Sequence, residues 1–316
     1  MNRRLTRIAP KLVPALVAGL VAGLVAASQL AAQKPTAPPA ASATPIRKAL
    51  FWKVSSADNT AYLLGSVHLG SKEMYPLPKE LEDAFEKSSA LIVEVDINHV
   101  DQAKMQGFVM ANGMYTGDDT LWDHISKDNR KRLEAFCEKF GLPAAAMAKM
   151  KPWMASMMVA TLPMMRNGME AGLGIDKYFL DKAEKSRKRI VELESAEWQL
   201  KLLSSITDQM LDQYLESMIV QDSLAEAKKL QEAWMSGDPV RVDKLVRESM
   251  AKSPESLNKA MLGDRNPHMA DIAEQFLKGK EQGFLVAGAA HMVGKDGVVE
   301  LLRQRGYKVE QVTLAQ

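Results

Sequence analysis

Tyr62-Leu63-Leu64-Gly65-Ser66-Val67-His68-Leu69-Gly70 carries three apolar residues into a glycine and places a histidine three positions later. The same grammar returns near the other end of the chain, in Phe284-Leu285-Val286-Ala287-Gly288-Ala289-Ala290-His291-Met292-Val293-Gly294. Each stretch is a short apolar run closing on Gly-x-x-His, with a further glycine beyond. The chain has only 5 histidines, so two of them in matching contexts point to a shared role.

Reading outward, residues 49–54 and 61–65 flank Ser55-Ser56-Ala57-Asp58-Asn59-Thr60, the pattern of a β-hairpin. Pro78-Lys79-Glu80-Leu81-Glu82-Asp83-Ala84-Phe85-Glu86 opens a helix, with proline early and acids in the first turns. Residues 90–97, ALIVEVDI, then read as a buried strand. Strand, helix, strand at this spacing predicts a βαβ unit with parallel strands. From about 100 to 280 the apolar period is that of helices, over 121–140, 144–166, 175–186 and 196–252, interrupted by one short strand at 189–193. The C-terminal segment is again strand, helix, strand, at 283–288, 297–304 and 307–312, with Gly306 stopping the helix. The expected class is α/β (α+β): a central mixed sheet built from both ends of the chain, with a large helical insertion. In such sheets ligands bind outside the carboxyl ends of the strands, and His68 and His291 both stand just past such ends.

Glu94 lies inside Leu91-Ile92-Val93-Glu94-Val95-Asp96. A carboxylate among β-branched residues is costly to bury unless paired. Strand alternation puts Ile92, Glu94 and Asp96 on one face. An acid at a strand end can simply face water, but together with two histidine motifs Glu94 reads as a site carboxylate.

Composition narrows the class. The chain is 47% hydrophobic and 25% charged, as in ordinary globular proteins. It holds 41 basic and 39 acidic residues. Arg3, Arg4, Arg7 and Lys11 all fall in residues 1–32, so the rest is close to neutral and presents no nucleic-acid surface. A single cysteine, Cys137, excludes an internal disulfide and a multi-cysteine zinc site. Residues 1–32 have the charged, apolar, small-residue layout of a signal peptide, or else of an N-terminal anchor. The body is therefore expected to be exported, periplasmic or secreted, touching a membrane only if that segment is uncleaved. Residues 33–46, rich in Pro and Ala, read as a linker, and the folded domain is expected to span 47–316.

Gly65-x-x-His68, Glu94 on the following strand and Gly288-x-x-His291 together resemble the TraB/PrgY/GumN family, to which the Tiki-type metalloproteases are related. Lys151-Pro152-Trp153, Gly174-Ile175-Asp176-Lys177-Tyr178-Phe179, Glu192-Leu193-Glu194 and Asp264-Arg265-Asn266 support the resemblance. It covers most of the chain from about 49 to 312, and is greatest to the GumN-type members. The resemblance implies a fold shared with erythromycin-esterase-like and haem-uptake-like proteins. It also implies hydrolase chemistry, metallopeptidase-like in some relatives, on a peptide or small-molecule substrate.

Carried over, His68, Glu94 and His291 would form the core site, able to bind a divalent metal ion with positions left for water and substrate. The same three groups could instead work without metal, with one imidazole as general base. A non-catalytic protein binding a ligand, haem or a metal is the competing reading. Arg265 and Asn266 join the candidate site as groups able to bind a carboxylate or an oxyanion, or as the start of a helix with Pro267 in its first turn. Asp176 reads either as a helix cap or as part of the polar site, and Glu194 as a partner behind it.

Other signals are discounted. His99, His124 and His268 stand in no matching motif. Cys137 lies beside Phe136 and Phe140 and reads as a buried thiol. No nucleophile elbow or P-loop is present. Met147, Met150, Met154, Met157 and Met158 fall on a helical stripe, with Met164, Met165 and Met169 beyond. Such a stripe is core in the first instance, with a pliable peptide groove or thioether binding of Cu(I) as alternatives.

Overall fold

A computed structural model describes residues 48–210, 212, 215, 219 and 223–314. The expected signal segment and linker lie outside the described residues. Six strands form one sheet: β1 (Lys48–Ser55), β2 (Thr60–Ser66), β3 (Ala90–Val93), β4 (Arg189–Glu192), β5 (Gly283–Gly288) and β6 (Lys308–Thr313), in the order β4-β3-β5-β2-β1-β6. β2, β5, β3 and β4 run parallel, and β1 is antiparallel to both β2 and β6. The fold is therefore mixed α/β, with a sheet drawn from both ends of the chain and helices between.

β1 and β2 form the expected hairpin, with Phe51 opposite Leu64 and Ser55 opposite Thr60. Asn59 closes it: its main-chain amide donates to Ser56 Oγ at 2.9 Å, and its side-chain amide donates to Phe276 O at 2.8 Å. β2 and β3 are parallel as expected, but they are not neighbours, because β5 lies between them and pairs with both. β3 and all of β5 except Gly288 are buried, as strands covered on both faces must be. Phe284 of β5 meets Phe179 at 4.9 Å and Phe85 at 5.7 Å between ring centroids. These rings bring the helices Lys79–Lys87 and Ile175–Ser186 onto the sheet.

β3 and the methionine stripe depart from the sequence reading, and the helix expected over 121–140 begins only at Lys127. β3 ends at Val93 rather than at residue 97. At Glu94 the neighbouring Gly288 N–H donates to the Glu94 side chain at 2.7 Å instead of continuing a main-chain ladder. The methionine stripe is split between two helices, Ala144–Ala148 and Pro152–Arg166. Pro152 lacks an N–H and suits the first turn of a new helix, while Lys151 N donates to Gly113 O at 2.8 Å just before it. Met147, Met150, Met154 and Met158 are buried with Trp153, Leu133 and Phe136 in a second hydrophobic cluster, distinct from the one around the sheet. The stripe is core. No helix among the described residues is long and apolar enough to cross a membrane.

The segment after β2 is wedged against the chain that leads into the helix Ile175–Ser186. Gly70 and Glu170 exchange main-chain hydrogen bonds at 3.1 and 2.8 Å, and Ile175 N donates to Val67 O at 3.0 Å. A Cβ on Gly70 would stand 1.9 Å from Leu173 O, whereas one on Gly107 would meet nothing within 4 Å. Gly70→Ala is therefore expected to lose about 2–4 kcal/mol of stability. Gly107→Ala, inside the helix Gln102–Asn112, should gain about 0.5–1 kcal/mol. Urea denaturation of the two variants checks both signs, and similar destabilisation in both would refute the wedge.

Candidate functional site

The four parallel strands deliver one group each to the same edge of the sheet. Glu94 follows β3, Glu194 follows β4, His291 stands in the turn of helix Ala289–Met292 after β5, and His68 lies just past β2. The two Gly-x-x-His motifs are side by side, since Gly65 pairs with Ala287 and Ser66 with Gly288 in the β2–β5 ladder. His68 Nε2 stands 4.0 Å from Glu94 Oε1, and His291 Nε2 stands 4.0 Å from Glu94 Oε2. Both imidazoles thus turn the same nitrogen toward one carboxylate.

The other ring nitrogen of each is occupied. His68 Nδ1 lies 2.9 Å from Asp176 Oδ2, and Asp176 Oδ1 accepts from Ser66 Oγ at 2.6 Å. His291 Nδ1 lies 2.6 Å from Asn266 Oδ1, while the Asn266 amide donates to Asp296 O at 2.7 Å. In a neutral ring, an oxygen acceptor on Nδ1 places the proton there and leaves Nε2 with its lone pair. The two rings differ in setting: the His68 side chain is 60% exposed and that of His291 is 5% exposed.

Glu94 is held from three sides. Gly288 N–H donates to Oε1, while Arg265 Nη2 donates to Oε2 at 2.6 Å and Gln199 Nε2 at 3.2 Å. Arg265 also donates through Nε to Glu194 Oε1 and through Nη2 to Glu194 Oε2, both at 2.7 Å, and through Nη1 to Met261 O at 2.9 Å. Arg265 is buried, with Nε and Nη2 on the chain's own carboxylates and Nη1 on a main-chain carbonyl. Asn266 is the first residue of the helix Asn266–Lys278, with Pro267 next, and its side chain holds His291 instead of capping that helix. Asp176, in the first turn of its helix, joins the site through His68.

The charges bias each group. Burial alone would raise Glu94, but His68, His291, Arg265 and the Gly288 amide hold it down at about 2. Burial pushes His291 down to about 4 against the pull of Glu94. The Asp176 charge, against desolvation and with help from its hydrogen bond and from Glu94, lifts His68 above its ordinary value.

Sequence reasoning missed Gln199 and Ser66. Ser66 sits inside the first motif, so its position was a usable signal, whereas an amide on the helix Ala196–Ser204 has no local mark. Among the other histidines, His99 pairs with Asp96, His124 lies between Asp119 and Asp208, and His268 Nε2 lies 3.2 Å from Leu193 O. Among the described residues, no group of three or more His, Cys, Asp and Glu is set closely enough to hold a metal ion outright. The 4.0 Å spacings exceed the separation of about 3.4 Å between neighbouring ligands on a tetrahedral ion with bonds of about 2.1 Å. A Cβ added to Gly288 would lie 3.4 Å from Glu94 Oε1, 3.5 Å from His68 Nε2 and 3.6 Å from His291 Cδ2. The glycine therefore leaves open a small space that all three groups border.

The family model for TraB/PrgY/gumN matches residues 50–311. The uncharacterized protein YbaP of Shigella flexneri is 26% identical over 251 residues, covering 77% of this chain and 88% of its own. YbaP of Escherichia coli (strain K12) is 26% identical over 250 residues, covering 77% and 87%. An uncharacterized protein of Treponema pallidum (strain Nichols) is 20% identical over 276 residues, covering 82% and 81%. No solved structure matches the chain.

Two stability predictions follow from the charges. Arg265→Met leaves two buried carboxylates without their cation and should cost about 3–5 kcal/mol in urea denaturation. Glu94 and His291 both have folded values below their ordinary 4.5 and 6.5, so each adds stability above the ordinary value and loses it as pH falls. His291 loses its share first, as pH falls from 6.5 through about 4, and Glu94 follows as pH falls from 4.5 through about 2. His68 runs the other way, its share complete below 6.5 and lost as pH rises through its raised folded value. His291→Gln should flatten the profile of unfolding midpoint between pH 6.5 and 4, and an unchanged slope there would refute the assignment.

Proposed function

Because the chain belongs to the TraB/PrgY/gumN family and two imidazoles of matching motifs converge on one carboxylate, we propose that it is a metal-dependent hydrolase acting on peptides. His68, His291 and Glu94 would hold the ion in this reading, once their 4.0 Å spacings close. The convergence of the two Nε2 atoms on Glu94, each with its Nδ1 pinned by an oxygen, carries the proposal. That is the outer arrangement by which metal-binding histidines are oriented. Charge supports it too. With both imidazoles neutral, Glu94, Glu194 and Asp176 against Arg265 leave two formal negative charges, which one divalent ion cancels.

A bound divalent ion would supply a water of lowered pKa and polarise the scissile carbonyl. The chain's own residues do the rest. Asp176 and Asn266 hold the imidazole tautomers that keep Nε2 available. Arg265, Gln199 and the Gly288 amide fix the Glu94 carboxylate, with one lone pair of Oε1 left for ligation. His68, exposed where His291 is buried, marks the side from which solvent and substrate enter.

A metal-free acid–base reading has one observation in its favour, the His68–Asp176 pair. In that reading the roles are set by the opposite biases of the rings: protonated His68 donates, and neutral His291 accepts. Export of the protein is part of the proposal and rests on the composition of residues 1–32.

Gly288 has φ −47° and ψ 138°, away from the left-handed region that favours glycine. Gly288→Ala should therefore fold with an unchanged melting midpoint and yet fill the space between the ligands. We expect it to lose divalent-ion binding by calorimetry and at least about 100-fold in peptide hydrolysis, as His291→Ala should. Activity of the wild-type protein that survives chelation, and that Gly288→Ala still abolishes, would favour the metal-free reading. Hydrolysis retained by Gly288→Ala would overturn both.

A further inference from the structure

Trp198 is unused by anything described so far. Its residue is 43% exposed, one of four large hydrophobic residues exposed among those described, with Met110, Met165 and Val240. It belongs to neither hydrophobic cluster, although its neighbours Ala196 and Leu200 pack in the helical one. Its ring lies over Arg265, with the guanidinium carbon 5.9 Å from the ring centroid. Arg265 in turn donates to Glu94 at 2.6 Å. The next residue on the same helix, Gln199, donates to Glu94 as well. Trp198 is thus an exposed hydrophobic residue in contact with a residue of the site.

We propose that Trp198 is a specificity-determining residue, forming a subsite for a large apolar side chain of a peptide beside the bond to be cleaved. The peptide's place as a substrate rests on the hydrolase reading, while the binding preference does not. Three physical points carry the proposal. An indole left in water at a site's edge keeps apolar area that a ligand can bury. Its rigid ring offers that area at low entropic cost, which is why tryptophan is enriched at binding hot spots. Arg265 beneath it is locked to Glu94 and Glu194, so the indole is braced on a fixed base one residue away from the carboxylate. Through Arg265, Trp198 is one residue removed from Glu94, which borders the space at Gly288.

The experiment uses the whole chain and N-acetylated alanine-based peptides carrying a single Phe, Leu or Lys. Binding is measured by calorimetry in chelator, where metal-dependent turnover is stopped, for wild type, Trp198→Ala and Trp198→Phe. Phe and Leu peptides should bind Trp198→Ala at least about tenfold more weakly than wild type, with Trp198→Phe between them and the Lys peptide unaffected. Since Trp198 lies in neither core, melting midpoints should stay level, and Trp198→Phe gives the same reading should the alanine variant be perturbed. Equal affinities of wild type and Trp198→Ala for the apolar peptides, or no binding of them to wild type, would overturn the subsite. Hydrolysis of the same panel with added divalent ions separates the two ideas. Trp198-dependent binding without turnover keeps the subsite and removes the hydrolase. Turnover with unchanged side-chain preference removes the subsite and keeps the hydrolase.

Discussion

The guanidinium of Arg265 is the constraint on which the rest of the site depends. Parallel strands in register, such as β3 and β4 with Val93 beside Glu192, bring Glu94 and Glu194 out at the same edge. Two carboxylates that close, both nearly removed from water, would repel each other and carry a large desolvation cost. One planar fork meets both, Nε and Nη2 on Glu194 and Nη2 on Glu94. A lysine ammonium could not bridge them with this geometry. Arg265 also starts the helix whose first residue, Asn266, holds His291. Two adjacent residues thus tie the ends of β3 and β4 to the turn after β5. The Gly288 amide bond to Glu94 completes the tie from the β5 side.

The two Gly-x-x-His motifs look alike in sequence, but the first runs from inside β2 into a bend while the second ends β5 and opens the helix Ala289–Met292, and their imidazoles are tuned in opposite directions. His68 has a carboxylate on Nδ1 and an open outer face, so its charged form is favoured. His291 has a neutral amide on Nδ1 and is enclosed, so its neutral form is favoured. Without an ion the pair is polarised into one donor and one acceptor. With an ion both must be neutral, and His68 is the ring that has to give up its proton. The asymmetry comes from Asp176 beside His68 and from the burial of His291, rather than from the motifs themselves.

That division explains what could be read in the chain beforehand. The hairpin, the parallel strands, the helix at 175–186 and the β5–helix–β6 ending follow from local apolar period and turn residues, so they are legible. So are His68, His291 and Glu94, because a histidine after an apolar run and a charge among β-branched residues are locally anomalous. The order of the strands is not local: that β5 slips between β2 and β3 depends on how both ends of the chain meet. Arg265 is legible as a polar residue near a helix start, but not as the partner of two carboxylates 171 and 71 positions away. Gln199 is not legible at all, since an amide on a helix becomes meaningful only when a carboxylate faces it. The methionine series keeps its helical spacing through Met150, and only the proline two residues later marks the break.

The separation of the two hydrophobic clusters gives the architecture its functional consequence. The sheet cluster is filled by Phe51, Phe85, Phe179 and Phe284, and the helical cluster by Trp153, Leu133 and the buried methionines. The strand-end groups His68, Glu94 and His291 are fixed by the sheet and by the helix Asn266–Lys278. Gln199 is the helical cluster's direct hold on that carboxylate, and it comes from a helix whose next residue, Leu200, is anchored in that cluster. The residue before it, Trp198, is left at the edge of the site. Within these three consecutive residues one side chain supports the insertion, one supports the carboxylate and one remains available to a ligand. Substitutions in the insertion's core can then shift what the site accepts by moving this short helix, while the geometry of the two histidines stays with the sheet.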